Sequence, residues 1–267
     1  MLAARAAGAR HLWHHRAGPE GRGLRFVAPY LADRIAAVSR FALSGAGERA
    51  RNKAAVIYSP FDTGAQPIDR PAAHAALTAE LGLDPATRLL GFFGNIDDRK
   101  RPLAFVDMLG ELARKVPALP IAGLMFGATL DPALERAVHA RADELSLGSR
   151  FHLLGFRQPV APLLAGCDIH AVTAVHEPFG RSLIEAMLLG TPVVAAASGG
   201  NIEAIEDGVT GCLVPADDPA AMANTISKLL AAPERLHTIA AAALAHARTS
   251  FGVERHVAEV SALYRAM

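Results

Sequence analysis

The chain has 267 residues, with 27 Lys+Arg against 26 Asp+Glu, 51% hydrophobic residues and 20% charged ones. That composition forms a packed interior and excludes a disordered chain, and the length allows one large or two modest domains. The near-zero net charge conceals an asymmetry, because residues 1–64 hold 10 Lys+Arg and 4 Asp+Glu while residues 65–267 hold 17 and 22.

The first 19 residues lack acidic groups and so imitate a transit peptide, but Trp13-His14-His15-Arg16 reads as mature sequence. Residues 1–54 show one helical stretch, Leu31 to Ala42, ahead of a strand over Ala54 to Tyr58. These are too few elements for an independent core, so residues 1–69 are predicted to be the tail of one domain plus a linker, Asp62 to Arg70, marked by Thr63-Gly64 and Pro67. Short apolar runs then recur at Leu89–Phe93, Ile121–Phe126, Phe151–Leu154, Asp168–Ala174, Pro192–Ala197 and Gly211–Val214. Helical patterns separate them: Pro102–Val116, with Leu103, Val106, Leu109, Leu112 and Ala113 on one face, then Pro132–Leu147, Val160–Ala165, Arg181–Leu189 and Asn201–Glu206. Alternation of this kind gives parallel βαβ crossovers with helices on both sheet faces. An α/β doubly wound domain is therefore expected over about residues 85 to 215, within a larger unit of residues 70–267. Beyond Pro215 three helices are predicted, the first capped by Asp218 before Pro219, the second opening at Pro233 and the third spanning Phe251–Ala266, all packing on the sheet.

Two cysteines, Cys167 and Cys212, stand 45 positions apart without a C-x-x-C, which fits a reducing, cytoplasmic setting and gives no disulfide scaffold or cysteine zinc site. No apolar run reaches the length of a membrane span. The charge asymmetry predicts that the two parts pack on each other, that a phosphate-bearing ligand sits near their junction, or that the basic part touches an anionic membrane surface peripherally. Nothing resembling a nucleic-acid module accompanies it. His11-x-x-His14-His15 lacks a carboxylate or further histidine at ligand spacing, and Gly91-Phe92-Phe93-Gly94 is not a dinucleotide fingerprint.

The most informative segment runs His176-Glu177-Pro178-Phe179-Gly180-Arg181-Ser182-Leu183-Ile184-Glu185-Ala186-Met187. Pro178 keeps Glu177 out of the helix, in the loop after a strand, and Gly180 allows close backbone approach. Open α/β sheets bind ligands at that edge. The first N–H groups of the following helix favour an anion such as a diphosphate. Glu185, just over one turn in, is suited to accept from a ribose diol. Arg181 reads equally as a surface residue or a diphosphate contact, and Gly199-Gly200 equally as a plain turn or a site of close sugar approach.

E-P-F-G-x-x-x-x-E-A-M, followed by Gly190-Thr191-Pro192-Val193-Val194-Ala195, resembles the nucleotide-sugar half of the retaining glycosyltransferases of family 4. That family has the GT-B architecture of two facing Rossmann-like domains. The resemblance extends to Gly94-Asn95-Ile96-Asp97-Asp98-Arg99-Lys100, similar to the family's G-R-x-x-x-x-K loop, and to Leu154-Gly155-Phe156, Cys167-Asp168 and Asp207 to Pro215. Ala32 to Ser39 and Val56-Ile57-Tyr58 resemble closing elements of the first domain. The resemblance implies that Glu177 binds hydroxyls of the transferred sugar, Glu185 the ribose and Lys100 the diphosphate. It places Gly94, Asn95, Arg99 and the backbone near Phe179, Gly180 and Arg181 around the donor.

The implied reaction is retaining transfer of a hexosyl group from a nucleotide-diphosphate sugar to a glycan or glycolipid acceptor, with no cofactor and no metal demanded. No D-x-D occurs; Asp97-Asp98 and Asp217-Asp218 read as loop acids and a helix cap. Asn95 stands where the family usually has Arg, so Arg99 or Arg101 must supply the missing cation or donor affinity falls. Only about 30 residues precede Ala32, fewer than a whole acceptor domain. That predicts a truncated start, a separate chain supplying the acceptor domain, or a non-catalytic nucleotide-sugar-binding subunit, and exposed apolar surface would favour a homo-oligomer.

Overall fold

The computed structural model describes residues 3, 6–64 and 68–267. It contains two parallel sheets. The smaller has the order β1-β2-β3, built from β1 (Leu12–His15), β2 (Arg34–Ala37) and β3 (Ala54–Val56). Single helical turns connect the strands, among them Ala28–Leu31, Arg40–Leu43 and Glu48–Arg51. Leu24, Ala28, Ile35, Ala46 and Ala50 form a small core there.

The helix expected over Leu31 to Ala42 is replaced by β2 between two helical turns. Alanine-rich sequence favours helix locally, but Ile35-Ala36-Ala37 is paired on both sides, by β1 and by β3. Buried pairing overrides a propensity difference of a few tenths of a kcal/mol per residue. Ser39, at φ −162°, ends the extended stretch, and its Oγ accepts from Ala42 N–H to cap the next turn.

The larger sheet has the order β6-β5-β4-β7-β8-β9, all parallel. Its strands are β4 (Arg88–Phe93), β5 (Ile121–Phe126), β6 (Phe151–Gly155), β7 (Ile169–Val172), β8 (Val193–Ala196) and β9 (Cys212–Val214). All six expected runs are strands, within a residue or two. The helices are α1 (Arg70–Glu80), α2 (Pro102–Lys115), α3 (Pro132–Glu144), α4 (Val160–Gly166), α5 (Arg181–Leu188), α6 (Asn201–Ala204), α7 (Pro219–Leu230), α8 (Pro233–Ser250) and α9 (Val253–Arg265).

Both faces of this sheet are covered, and strand pleating divides the side chains between them. Leu89, Phe93, Leu124 and Phe126 join one cluster, with Leu164, Leu183 and Met187. Leu90, Phe92, Ile121 and Met125 join the other, with residues of α2, α3 and α7. On α2 the buried face centres on Phe105, Val106, Met108, Leu109 and Leu112, while Leu103 and Ala113 lie at its margins. The chain winds outward from β4 in one direction, then restarts at β7 on the other side. Adjacent β4 and β7 therefore form the switch point, where the two crossovers diverge and leave a crevice beyond the strand ends.

Two terminal features differ from expectation. Residues 70–80, where the sequence announced no element, form α1, with Asp69 accepting from Ala72 N–H as its cap. The expected linker includes residues 65–67, which lie outside the described residues. At the other end α7 and α8 pack as expected, and Asp218 caps α7 by accepting from Ala221 N–H. Helix α9 instead buries no residue and returns to the smaller sheet. His256 Nδ1 lies 2.8 Å from the Tyr58 carbonyl, and Arg34 donates to the Ala266 carbonyl.

Candidate functional site

The loop after β4 and the loop after β7 meet at the switch point, and each is fixed by backbone demands. Gly94 has φ +155° and Gly127, at the end of β5, has φ +158°. A Cβ on Gly127 would sit 1.7 Å from the Gly94 carbonyl oxygen, so only glycine allows the strands to end this close together. Asp97 then accepts from Lys100 N–H, closing the turn Asp98–Lys100. Thr173 Oγ1 donates to the Lys100 carbonyl and Val175 N–H to the Arg99 carbonyl. The cationic turn is thereby tied to the chain leaving β7.

Glu177 is 6% exposed. Its Oε1 lies 2.6 Å from Lys100 Nζ and 3.1 Å from Arg99 Nη1. These are ion pairs without hydrogen-bond alignment, since Oε1 has no hydrogen-bond partner. The carboxylate is neutralised yet retains accepting capacity. Gly200 N–H donates to the Glu177 carbonyl at 2.7 Å, and a Cβ on Gly199 would stand 2.5 Å from the same oxygen. Both glycines thus support the Glu177 loop from behind, and neither lines the cleft.

Gly180, with φ +76°, turns the chain into α5. The Phe179 ring points away from the cleft, stacking on Tyr58 at 5.2 Å and meeting Phe251 at 5.5 Å. Arg181 lies over the Phe61 ring at 4.6 Å and 3.4 Å from Glu185 Oε1. Burial raises the Glu185 carboxyl above its ordinary range, against the opposing charges of Arg181 and Lys100. Behind α5, His170 of β7 is 1% exposed. Its Nδ1 is 3.0 Å from the Gly91 carbonyl and its Nε2 3.2 Å from Ser182 Oγ. Burial, helped by Lys100 and opposed by the bond to Gly91, pushes this imidazole down to about 4.

A cleft of about 640 Å³ brings together all nine sequence-predicted site residues, Glu177, Lys100, Glu185, Gly94, Asn95, Arg99, Phe179, Gly180 and Arg181. Arg99 faces the cleft, whereas Arg101 is ion-paired with Asp217 and does not line it. Sequence reasoning missed Arg16, Ser59, Phe156, Arg157 and Ser182 as lining residues. Arg16 follows β1 and donates to Ser59 Oγ at 3.4 Å, so the smaller sheet contributes one wall. Phe156, Ser182 and Arg16 sit in segments the sequence singles out, but nothing there marks them as lining residues. The cleft holds five cationic side chains, Arg16, Arg99, Lys100, Arg157 and Arg181, against two carboxylates, Glu177 and Glu185. That excess and the N-terminus of α5 favour a polyanionic ligand carrying hydroxyl groups for the acids. Of the motif acids, Asp97 closes a turn, Asp217 pairs with Arg101 and Asp218 caps α7. His15 Nε2 meets the Gly18 carbonyl at 3.1 Å, and among the described residues no three His, Cys, Asp or Glu side chains gather as a metal site.

The chain is 36% identical over 201 residues to a D-inositol 3-phosphate glycosyltransferase of Segniliparus rotundus, covering 74% of this chain and 44% of that protein. It is 39% identical over 187 residues to the protein of the same name from a Mycobacterium species, covering 68% and 40%. The chain thus spans less than half the length of these curated relatives. The crystal structure of Anabaena HepE in complex with UDP and glucose superposes with a TM-score of 0.87 and 26% identity, covering all of this chain and 74% of that one. The two sheets and the cleft between them have the Rossmann-like GT-B architecture of that protein. Residues 87–232, which hold both loops of the switch point, match the family model described as glycosyl transferases group 1, and the chain belongs to that family.

Proposed function

We propose that residues 70–267 form the donor-binding unit of a retaining hexosyltransferase of family 4, and that residues 1–69 belong to its acceptor-side domain. The observation that carries this reading is the cleft at the β4/β7 switch point, with five cations and two carboxylates. In this reading Lys100, Arg99 and the first N–H groups of α5 bind the diphosphate of a nucleotide sugar. Glu185 accepts from the ribose hydroxyls. The diphosphate competes for Lys100 and Arg99, and Glu177 is then free to accept from hydroxyls of the transferred sugar. Cations that bind more tightly as negative charge builds on the departing diphosphate lower the barrier. The leaving group departs, and the acceptor hydroxyl attacks, on the same face of the anomeric carbon.

With this many cationic side chains present, charge neutralisation needs no metal, and a chelator is expected to leave donor binding unchanged. Asn95 takes the place of a cation, and Arg99 supplies that charge. The UDP and glucose named for HepE make UDP-glucose the first donor to test. The acceptor is a glycan or glycolipid hydroxyl, and the D-inositol 3-phosphate named for the relatives adds a phosphorylated polyol to the panel. A second reading stands beside this one, a nucleotide-sugar-binding subunit that does not itself complete transfer.

The test is thermal unfolding of the purified chain with UDP, GDP, ADP and their sugar conjugates, beside the Glu185→Ala variant. Ligand at a hundred times Kd stabilises by about 2.7 kcal/mol. A shift with one base, reduced in the variant, supports the donor site. Binding without turnover on any acceptor supports the subunit reading, and no shift at all rejects both.

A further inference from the structure

We propose that His170 is a positioning residue of the donor site: when a diphosphate binds at the start of α5, His170 takes a proton from solvent and frees the Ser182 hydroxyl to donate to the anion. The inference rests on the donor-site reading above and adds a residue that the motif does not contain. Both ring nitrogens of His170 are engaged, Nδ1 with the Gly91 carbonyl at 3.0 Å and Nε2 with Ser182 Oγ at 3.2 Å. A carbonyl oxygen only accepts, so Nδ1 carries the hydrogen. In a neutral ring Nε2 must then accept, and Ser182 has only one proton to give.

The consequence lies in the cleft. Ser182 is the second residue of α5 and lines the cavity. With its proton committed to His170, it turns lone pairs toward the place where helix N–H groups attract an anion. Lone pairs facing a phosphate oxygen oppose binding. Protonation of Nε2 removes the conflict, because the imidazolium donates from both nitrogens, Ser182 Oγ accepts from Nε2–H, and the serine O–H is free to donate a hydrogen bond to the anion.

The groups facing the ring fix the direction of the coupling. From β4 come the Gly91 carbonyl and the Phe93 ring, which meets the imidazole edge-on at 5.4 Å. Helix α5 contributes the uncharged Ser182. The charged group is Lys100, in the turn after β4, itself paired with Glu177 of the β7–α5 loop. In the free protein Lys100 and burial both oppose the imidazolium. A bound diphosphate adds negative charge beside Lys100 and Ser182, beyond that of Glu177, and the added charge favours the proton. By linkage, a protein that gains a proton on binding binds more tightly as pH falls, by up to about tenfold per pH unit while the free ring is neutral and the bound ring protonated.

The experiment is calorimetric titration of the purified chain with UDP-glucose, and with the GDP and ADP conjugates, in buffers of differing ionisation enthalpy across weakly acidic to neutral pH. Diphosphate diesters are chosen because they do not titrate there. The proposal expects proton uptake on binding that grows as pH falls, and a Kd that rises with pH. It expects both effects to vanish in His170→Phe and in Ser182→Ala, with affinity reduced in each. Ser182→Ala removes a single hydroxyl at the cleft wall and so remains informative if His170→Phe unfolds. Binding with no proton uptake and a pH-independent Kd overturns the proposal while leaving the donor site intact. Failure of every conjugate to bind a cooperatively folded chain rejects the donor reading and the proposal together.

Discussion

A carboxylate buried as deeply as Glu177 is costly unless a cation compensates it, and Lys100 and Arg99 supply that charge from a turn fixed by Asp97. Glu177→Gln preserves shape but leaves two cations facing a neutral amide. It is expected to reduce transfer by roughly a hundredfold or more, with thermal unfolding showing the chain still folded. Turnover equal to wild type would reject the sugar-binding role. Glu185 makes the opposite trade, since burial raises its carboxyl. The folded state holds that proton more tightly than the unfolded chain does, so the ionised group costs stability once pH passes the ordinary carboxylate range. Glu185→Gln should therefore raise Tm at neutral pH and lose that advantage in acid, while weakening nucleotide binding. These two acids were legible because Pro178, Gly180 and the apolar neighbours of Glu185 set them apart locally. Arg16 and Arg157 were not, because nothing in their own segments says what they face.

At the level of elements, strands of the large sheet were legible because each is apolar on both faces and bounded by turn residues. Proline at the first turn and aspartate before it marked α3 and α7. β2 was misread because its pattern fits a helix, and only pairing on both edges decides otherwise. The contact between the two sheets rests on particular groups. Glu203 of α6 accepts from Arg40 N–H at 2.8 Å, Phe41 N–H at 2.7 Å and Tyr58 OH at 3.2 Å, capping the turn after β2. Tyr58, Phe61, Phe179 and Phe251 form an aromatic cluster beside it. Glu203→Ala is expected to destabilise by about 1 kcal/mol, as loss of a helix cap does, and denaturant unfolding would measure it. An unchanged midpoint would reject a stabilising role for this cap.

For the whole molecule, Arg16 of the basic first 64 residues lines the same cleft as the acids and cations of the larger sheet. Among the described residues no helix is long and apolar enough to cross a membrane. Among the exposed large apolar side chains, Phe26 and Tyr30 lie on the smaller sheet's helical turns and Val257 and Tyr264 on α9. Self-association through these residues is expected, and light scattering at micromolar concentration should give more than a monomer mass. A monomer mass would reject that expectation. The sequence by itself determined the parallel sheet, the loops that end β4 and β7, and the identity of the two acids, because strand burial, proline, glycine and helix N-termini act over a few residues. Only the tertiary structure decided that Arg99 rather than Arg101 enters the cleft, that Phe179 supports the site from behind, and that His170 reaches Ser182. Those depend on which segments meet across a strand switch point, and pairing between distant segments leaves no periodicity in either one.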